Sequence, residues 1–241
     1  MVQSEKHPEQ ATTYKFDRIF DPSDAQPAVY EEVQHLVTSC LDGFNVCIMA
    51  YGQTGSGKTH TMVGNEDGIY YYAINELFKR LEDRPLSDHK LRVSLTEIYN
   101  ETIRDLLPRK GDPVLVKLRD NAEGETVSDE RVKTVRSREE VIGCLKRAQQ
   151  NRAIGASSIN DQSSRSHFVF TIHVSWRHAL SKARYSGKIH LVDLAGSERT
   201  SSEHTTALAM PLGVLPPTSP SNAYHHQLQL QSRDLEMVNI N

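Results

Sequence analysis

The strongest constraint on the fold is a glycine-rich stretch at 50–62, directly after an apolar run. Within it, Gly52 to Thr59 reads glycine, four residues, Gly-Lys and then Thr, which is the spacing of a phosphate-binding loop. Glycines let such a loop turn tightly and bring its backbone N–H groups against phosphate oxygens. Lys58 supplies a positive charge to the terminal phosphates, and Thr59 offers a hydroxyl to Mg²⁺. A glycine-rich loop that matches by chance is the alternative interpretation.

The residues around the loop favour phosphate binding. The continuous apolar run Val46 to Ala50 is typical of a strand buried on both faces. The residues after Gly57 can begin a helix, whose N-terminus adds partial positive charge. The candidate nucleotide-contacting residues of the loop are Gly52, Gln53, Thr54, Gly55, Ser56, Gly57, Lys58 and Thr59.

The rest of the pattern predicts strands that alternate with helices. The predicted strands are 14–20, 46–50, 91–99, 168–176 and 189–192, and the predicted helices are 29–40, 74–81, 101–107 and 141–151. Asp24 is a possible helix cap, and Ser137 with Glu140 fits a capping box. This alternation predicts an α/β layered fold of the P-loop type, with a largely parallel central sheet and helices on both faces.

Composition narrows the functional classes. The 241 residues carry 37% hydrophobic residues and a formal net charge of −3, so they show no nucleic-acid-binding signature. Neither a membrane span nor a signal peptide is predicted. Cys40, Cys47 and Cys144 lie in apolar-patterned segments and are interpreted as reduced core cysteines.

Two further stretches carry a family resemblance. Residues 160–167, Asn-Asp-Gln-Ser-Ser-Arg-Ser-His, and 191–199, Leu-Val-Asp-Leu-Ala-Gly-Ser-Glu-Arg, follow the phosphate loop in that order. Together the three motifs resemble the phosphate loop, switch I and switch II of the kinesin motor domain. The amino-acid sequence of residues 36–51 is most similar to the C-terminal-motor, minus-end-directed subfamily.

The resemblance implies ATP and Mg²⁺ as cofactors and assigns a role to each matching residue. Thr59 and Ser164 match hydroxyl ligands of Mg²⁺, and Asp193 matches a carboxylate that holds the metal through water. The residues that match the catalytic set are Ser163, Arg165, Gly196 and Glu198, among which Arg165 and Glu198 form an ion bridge that closes the pocket. Asn160 matches a residue that steadies the switch loop, and His60 matches one packed on the adenine.

Without the motif context, other interpretations stay open for several of these residues. Arg165 and Glu198 could be ordinary surface charges, and exposed pairs contribute little. Ser163 and Ser164 could be loop hydroxyls without a ligand.

The resemblance predicts a partial motor domain at 14–200, a disordered leader at 1–13 and a disordered tail at 201–241. No Arg-x-Arg-Pro segment precedes Tyr14, and no Asn-Lys-Ser-Leu segment follows Arg199, although the family has both. The second segment belongs to the region that carries the switch II helix and most of the microtubule surface. We therefore expect weakened contact with microtubules, supported only in part by the loops between Lys117 and Arg138.

Three functional hypotheses follow. The first is a microtubule-stimulated ATPase, which would be cytoplasmic and associated with the cytoskeleton. The second is a nucleotide-binding, non-motile regulatory form, and the third is a gene-product fragment without stable function. No nucleic acid or membrane partner is expected, and the oligomeric state is not determined by the sequence.

Overall fold

The computed structural model describes residues 14–84, 86–108, 115–120, 126–128, 130–155, 162–198 and 237–240. The helices are α1 Gln26–Leu41, α2 Lys58–Met62, α3 Ile69–Glu82 and α4 Arg138–Gly155, with a short 3-10 helix at Gln162–Arg165. The strands are β1 Asn45–Ala50, β2 Leu86–Tyr99, β3 Thr102–Asp105, β4 Leu118–Asp120, β5 Thr126–Ser128, β6 Lys133–Val135, β7 His167–His178, β8 Arg184–Asp193 and β9 Met237–Ile240. None of the helices in these ranges is long and apolar enough to span a membrane.

The main sheet is mixed, so the predicted α/β class is confirmed but the prediction of a largely parallel sheet is wrong. Its strands run in the order β3-β2-β7-β8-β1-β9, with β6 paired to β2. Only β8, β1 and β9 are mutually parallel. The reason lies in the short connections, because β2–β3 and β7–β8 are hairpins, and a short hairpin connection allows only antiparallel pairing. The β2–β3 turn uses two residues with positive φ, Asn100 (46°) and Glu101 (59°).

The three long helices lie against one face of this sheet. Even-numbered side chains of β7 point to that face, where Phe168 and Phe170 contact Tyr70 of α3. Trp176 of the same strand donates a 2.7 Å hydrogen bond from Nε1 to the Leu41 carbonyl of α1. Arg152 of α4 stacks its guanidinium over Phe168. In the part of the chain described by the structure, these three helices cover one face of the sheet.

The strand that precedes the phosphate loop is flanked on both sides in the sheet. β1 pairs with β8 from Asn45↔Lys188 to Ala50↔Asp193, and with β9 from Cys47↔Met237 to Ala50↔Ile240. Because β1 and β8 are parallel, their carboxyl ends meet at one edge. The phosphate loop and the residues after Asp193 therefore emerge side by side.

Several local predictions are wrong. Residues 14–20 form no strand, and their aromatic and aliphatic side chains are largely exposed. The segment predicted as a helix at 101–107 contains β3, because pairing with β2 satisfies its backbone groups. Asp24 does not cap α1, because its carboxylate accepts the Asp21 N–H and the cap position is Ala25.

Other local predictions are confirmed. Ser137 caps α4, where its hydroxyl accepts the Glu140 N–H at 3.3 Å. The Glu140 carboxylate accepts the Arg136 N–H at 3.0 Å, so only half of the predicted capping box forms. The three cysteines are buried and free, and burial raises the pKa of the Cys40 and Cys47 thiols to about 12. Within the predicted tail, Met237–Ile240 forms β9 and pairs with β1, and its Val238 and Ile240 are β-branched residues typical of strands. The rest of that tail and the predicted leader lie outside the described residues.

Candidate nucleotide-binding site

The phosphate loop depends on glycine for its backbone shape. Gly55 and Gly57 have φ of 80° and 93°, the left-handed region that side chains disfavour. Gly57 is also the N-cap of α2, so the loop leads into the first turn of that helix. The Lys58 ammonium donates to the carbonyls of Gly52 (3.0 Å) and Gln53 (2.9 Å). The Lys58 ammonium is thus held by backbone carbonyls of the phosphate loop itself.

Thr59 and Asp193 form the centre of the candidate metal site. The Thr59 hydroxyl donates a 2.7 Å hydrogen bond to Asp193 Oδ2. Asp193 is only 3% exposed, and its Oδ1 is buried without a hydrogen-bond partner. Burial raises the pKa of this carboxyl, while the Thr59 hydrogen bond and the charges of Arg152 and Lys58 lower it. A buried acceptor without a partner beside a hydroxyl is suited to a hydrated cation.

The donor set fits Mg²⁺ rather than a metal held by several protein side chains. The described residues contain no group of three or more His, Cys, Asp or Glu side chains that could hold a metal. Mg²⁺ keeps several waters and binds through one or two carboxylates plus substrate phosphates. A cavity of about 240 Å³ lined by Thr59, Gln149, Arg152, Phe168 and Asp193 adjoins the carboxylate and gives space for water.

The segment after β8 crosses the phosphate loop and meets the switch I-like segment. The Leu194 N–H donates to the Ala50 carbonyl at 3.3 Å, and the Ser197 N–H donates to the Gly52 carbonyl at 3.0 Å. The Gly196 N–H donates to the Ser164 carbonyl at 2.8 Å. The structure therefore brings the three motif segments together through backbone hydrogen bonds.

Glu198 contacts the phosphate loop instead of its predicted partner. Its carboxylate accepts the Thr54 N–H at 2.8 Å and also a hydrogen bond from the Thr54 hydroxyl. A side chain at Gly196 would collide with both of these groups. Arg165 is exposed and forms no ion pair with Glu198, although both side chains are described. The predicted bridge between them is absent from this arrangement of the chain.

His60 lies at the start of α2, beside Lys58 and Thr59. The amide of Gln26, in the first turn of α1, contacts the His60 carbonyl at 2.7 Å and the His60 Nδ1 at 3.1 Å. Gln26 was not predicted, because a single glutamine carries no motif signal.

Two of the predicted residues are described only in part or not at all. Ser163 belongs to the short 3-10 helix Gln162–Arg165, but its side chain lies outside the described residues. Asn160 lies outside them altogether. The roles of these two residues stay predictions.

A buried charge network behind the site was missed by the motif analysis. Glu97 of β2 is fully buried and contacts Arg104 (3.1 Å) and Arg152 (3.5 Å). Arg152 also donates to the hydroxyl and the carbonyl of Ser166, each at 3.0 Å, and lies 3.8 Å from Asp193. One guanidinium therefore links the base of the switch I-like segment to the metal-site carboxylate.

The sequence does contain a signal for this network. Leu91, Val93 and Leu95 point into the core, and the alternation of a strand puts Glu97 next on the same face. Ala148 is buried in α4, and Arg152 follows one helical turn later. A carboxylate and a guanidinium that continue two inward-facing patterns predict a buried ion pair.

Architecture and loop together define an α/β domain of the P-loop type. The family model for the kinesin motor domain matches residues 2–210, and the chain belongs to this family. The match is wider at both ends than the predicted domain of 14–200, and those narrower bounds stay predictions.

Known proteins agree with the subfamily resemblance. Kinesin-like protein KIN-14I of Arabidopsis thaliana is 42% identical over 209 residues, which are 83% of this chain and 21% of that protein. The C-terminal motor domain of Kar3 from Candida glabrata is 39% identical with a TM-score of 0.69, covering 82% of this chain and 62% of that one. A fast kinesin, whose structure was reported with implications for ATPase mechanism and microtubule interactions, is 30% identical with a TM-score of 0.73, covering 81% and 57%. The resemblance to C-terminal-motor kinesins is thus confirmed.

Proposed function

We propose that the chain binds Mg-ATP and acts as a microtubule-dependent ATP hydrolase of the C-terminal-motor kinesin type. One observation carries the proposal: the loop, Thr59, Asp193 and the 196–198 segment converge at the carboxyl ends of β1 and β8 in a chain of this family. The chain spans only 21% of KIN-14I, so activity and partners are inferred for the part of a motor that it represents.

The residues divide into those that bind and those that position. The loop amides and Lys58 would hold the phosphates. Thr59 and Ser164 would offer hydroxyls to Mg²⁺, and Asp193 would help to hold the hydrated metal. When bound, Mg²⁺ neutralises charge on the phosphates. Ser163, Arg165, Gly196 and Glu198 are proposed to orient the attacking water once the switch segments close, and Asn160 is proposed to steady the loop that carries two of them.

The partner proposal rests on charge. Lys117, Arg119 and Arg136 are exposed on the region between β3 and α4, and Arg138, the first residue of α4, is exposed beside them in the sequence. A basic surface attracts an acidic polymer such as tubulin, and the attraction weakens with salt. We propose microtubule contact here and a cytoskeletal location for the chain.

Phosphate release with and without microtubules tests this function. A microtubule-stimulated rate that is lost in Lys58→Ala supports it. Nucleotide binding without any stimulated release, together with no pelleting on microtubules in a non-hydrolysable ATP analogue, supports the non-motile alternative instead. Failure to bind nucleotide in a soluble, monodisperse sample contradicts both.

A further inference from the structure

The carboxylate of Glu198 lies on a backbone N–H of the phosphate loop. The Thr54 N–H donates to one carboxylate oxygen at 2.8 Å, and the Thr54 hydroxyl donates to the other. Backbone N–H groups of such loops form the concavity that binds phosphate oxygens. The carboxylate of Glu198 therefore occupies a donor of the loop in which phosphate is expected to bind.

The surroundings of the Glu198 carboxyl group favour its ionised form. The hydrogen bond from the Thr54 hydroxyl, together with the Thr54 N–H and the charge of Lys58, lowers the pKa of the Glu198 carboxyl. Glu198 is thus ionised at neutral pH. An ionised acceptor makes a stronger hydrogen bond than a neutral one, so the contact is worth more than an ordinary loop hydrogen bond.

The backbone around Glu198 holds it in this place. The Ser197 N–H donates to Gly52 and the Gly196 N–H donates to Ser164, so the segment is tied to the loop on one side and to the switch I-like segment on the other. Lys58 is meanwhile occupied by the carbonyls of Gly52 and Gln53. The Thr54 amide and the Lys58 ammonium are therefore both hydrogen-bonded within the chain.

We propose that Glu198 competes with the phosphates of the nucleotide for the Thr54 amide, so that residues 196–198 gate the entrance of the site. The inference rests on the proposed function and concerns the regulation of that same site. Phosphate binding requires that the carboxylate leave the Thr54 amide. The apparent affinity is therefore the intrinsic affinity multiplied by the fraction of molecules in which the carboxylate has left. Nucleotide entry and movement of the segment after β8 are thereby coupled.

Binding measurements on the full chain test the gate. The probes are a fluorescent ATP analogue, inorganic tripolyphosphate, which keeps the phosphates without the base, and adenosine, which lacks phosphates. Glu198→Gln keeps the size of the side chain and removes its charge, and should tighten binding of the first two probes about tenfold. Adenosine binding should not change. Glu139→Gln, an exposed acid far from the loop at the start of α4, is the matched control and should leave all three affinities as in the parent.

A second readout needs no variant. The amide resonance of Thr54 in the parent should follow the ionisation of Glu198 as the pH falls below the ordinary glutamate value of 4.5, because the pKa of this carboxyl is lowered. Saturating tripolyphosphate should abolish this dependence, because the carboxylate has been displaced. A Thr54 resonance that still follows the ionisation under saturation overturns the gate.

The outcomes separate the two proposals. Equal or weaker binding of ATP and tripolyphosphate by Glu198→Gln overturns the gate and leaves the proposed function standing. Absence of ATP binding in parent and variant alike overturns the proposed function, and the gate with it. Tighter binding of adenosine by Glu198→Gln also overturns the gate, since competition at an amide that binds phosphate cannot act on a ligand without phosphate.

Discussion

Thr59 Oγ1 lies 2.7 Å from Asp193 Oδ2, although 134 positions separate the two residues in the chain. Asp193 is the last residue of β8, and Thr59 lies in the helix that follows β1. The parallel pairing of the two strands, with Ala50 opposite Asp193, brings these residues together. The hydroxyl and the carboxylate are thus placed before any cation arrives. Such preorganisation reduces the ordering that a ligand must impose.

Asp193→Asn should weaken the contribution of Mg²⁺ to nucleotide binding. Loss of a carboxylate that orients metal-bound water lowers metal affinity about 10–100-fold. The measurement is the ratio of fluorescent-ATP affinities in Mg²⁺ and in EDTA. Asp88→Asn, an exposed change at the far end of β2, should keep the parental ratio. An unchanged ratio in Asp193→Asn would remove Asp193 from the metal site.

Lys58→Ala should weaken ATP binding at least about a hundredfold, because it deletes a charge-assisted phosphate contact. It also removes the two hydrogen bonds that close the loop opening on Gly52 and Gln53. Lys90→Ala, an exposed lysine of β2, is the control for a general charge effect. Parental affinity in a fluorescent-nucleotide titration of Lys58→Ala would refute the phosphate-loop assignment.

Glu97→Gln should destabilise the fold by about 3–5 kcal/mol, because two guanidiniums lose their buried counter-charge. Urea unfolding measures the change. Glu66→Gln breaks the exposed Lys146–Glu66 pair and should cost less than about 1 kcal/mol. Similar losses in both variants would show that the buried network contributes no more than a surface pair.

Acid should destabilise the chain through His190. Burial, with a smaller effect of the Lys188 charge, lowers the pKa of His190 to about 4 from the ordinary value of 6.5. Between these values the unfolded chain takes up the proton more readily, so this stability is complete above the ordinary pKa and is lost as pH falls toward 4.

His190→Asn keeps a polar atom near Thr171 without titrating. The fall in Tm between about pH 7.5 and about pH 5 should therefore be smaller in this variant than in the parent. His89→Asn, at an exposed position, should keep the parental slope. An equal slope in all three proteins would mean that His190 contributes nothing to acid unfolding.

Removal of residues 237–241 should lower Tm by several degrees and promote aggregation. The deletion uncovers the edge of β1 from Cys47 to Ala50, and exposed strand edges invite pairing with other chains. Removal of Asn241 alone is the control. If the shorter chain melts like the parent and stays monodisperse, the β1–β9 pairing contributes nothing to stability.

Local sequence patterns were sufficient to predict the helices and strands whose apolar side chains form one continuous buried face. The spacing of Val33, Leu36 and Cys40 predicted α1, and the run at 46–50 predicted β1. The same reasoning failed for segments whose secondary structure is determined by pairing with another strand. Thr102–Asp105 is a strand because β2 lies beside it, and Met237–Ile240 is a strand because β1 has a free edge. Neither partner can be seen from a local window.

The candidate site divides in the same way. The phosphate loop could be recognised because its chemistry requires particular residues at fixed spacing. Asp193 was assigned only through the resemblance of residues 191–199 to the family motif. The contact between Glu198 and Thr54 could not be predicted, since it depends on where the chain turns after β8. Arg152 could have been found by following the buried face of α4 by one more turn.

The parallel pairing of β1 also has a consequence for the order in which the chain is made and folds. β1 is synthesised before both of its partners, because β8 ends at Asp193 and β9 begins only at Met237. By contrast, β2 with β3 and β7 with β8 are neighbours in sequence, and such local pairings form faster than distant ones. The two hairpins can therefore assemble while the phosphate loop still lacks a sheet to hold it. In a nascent chain that ends before β8, both edges of β1 are unpaired. Such exposed strand edges are prone to aggregation and are bound by chaperones.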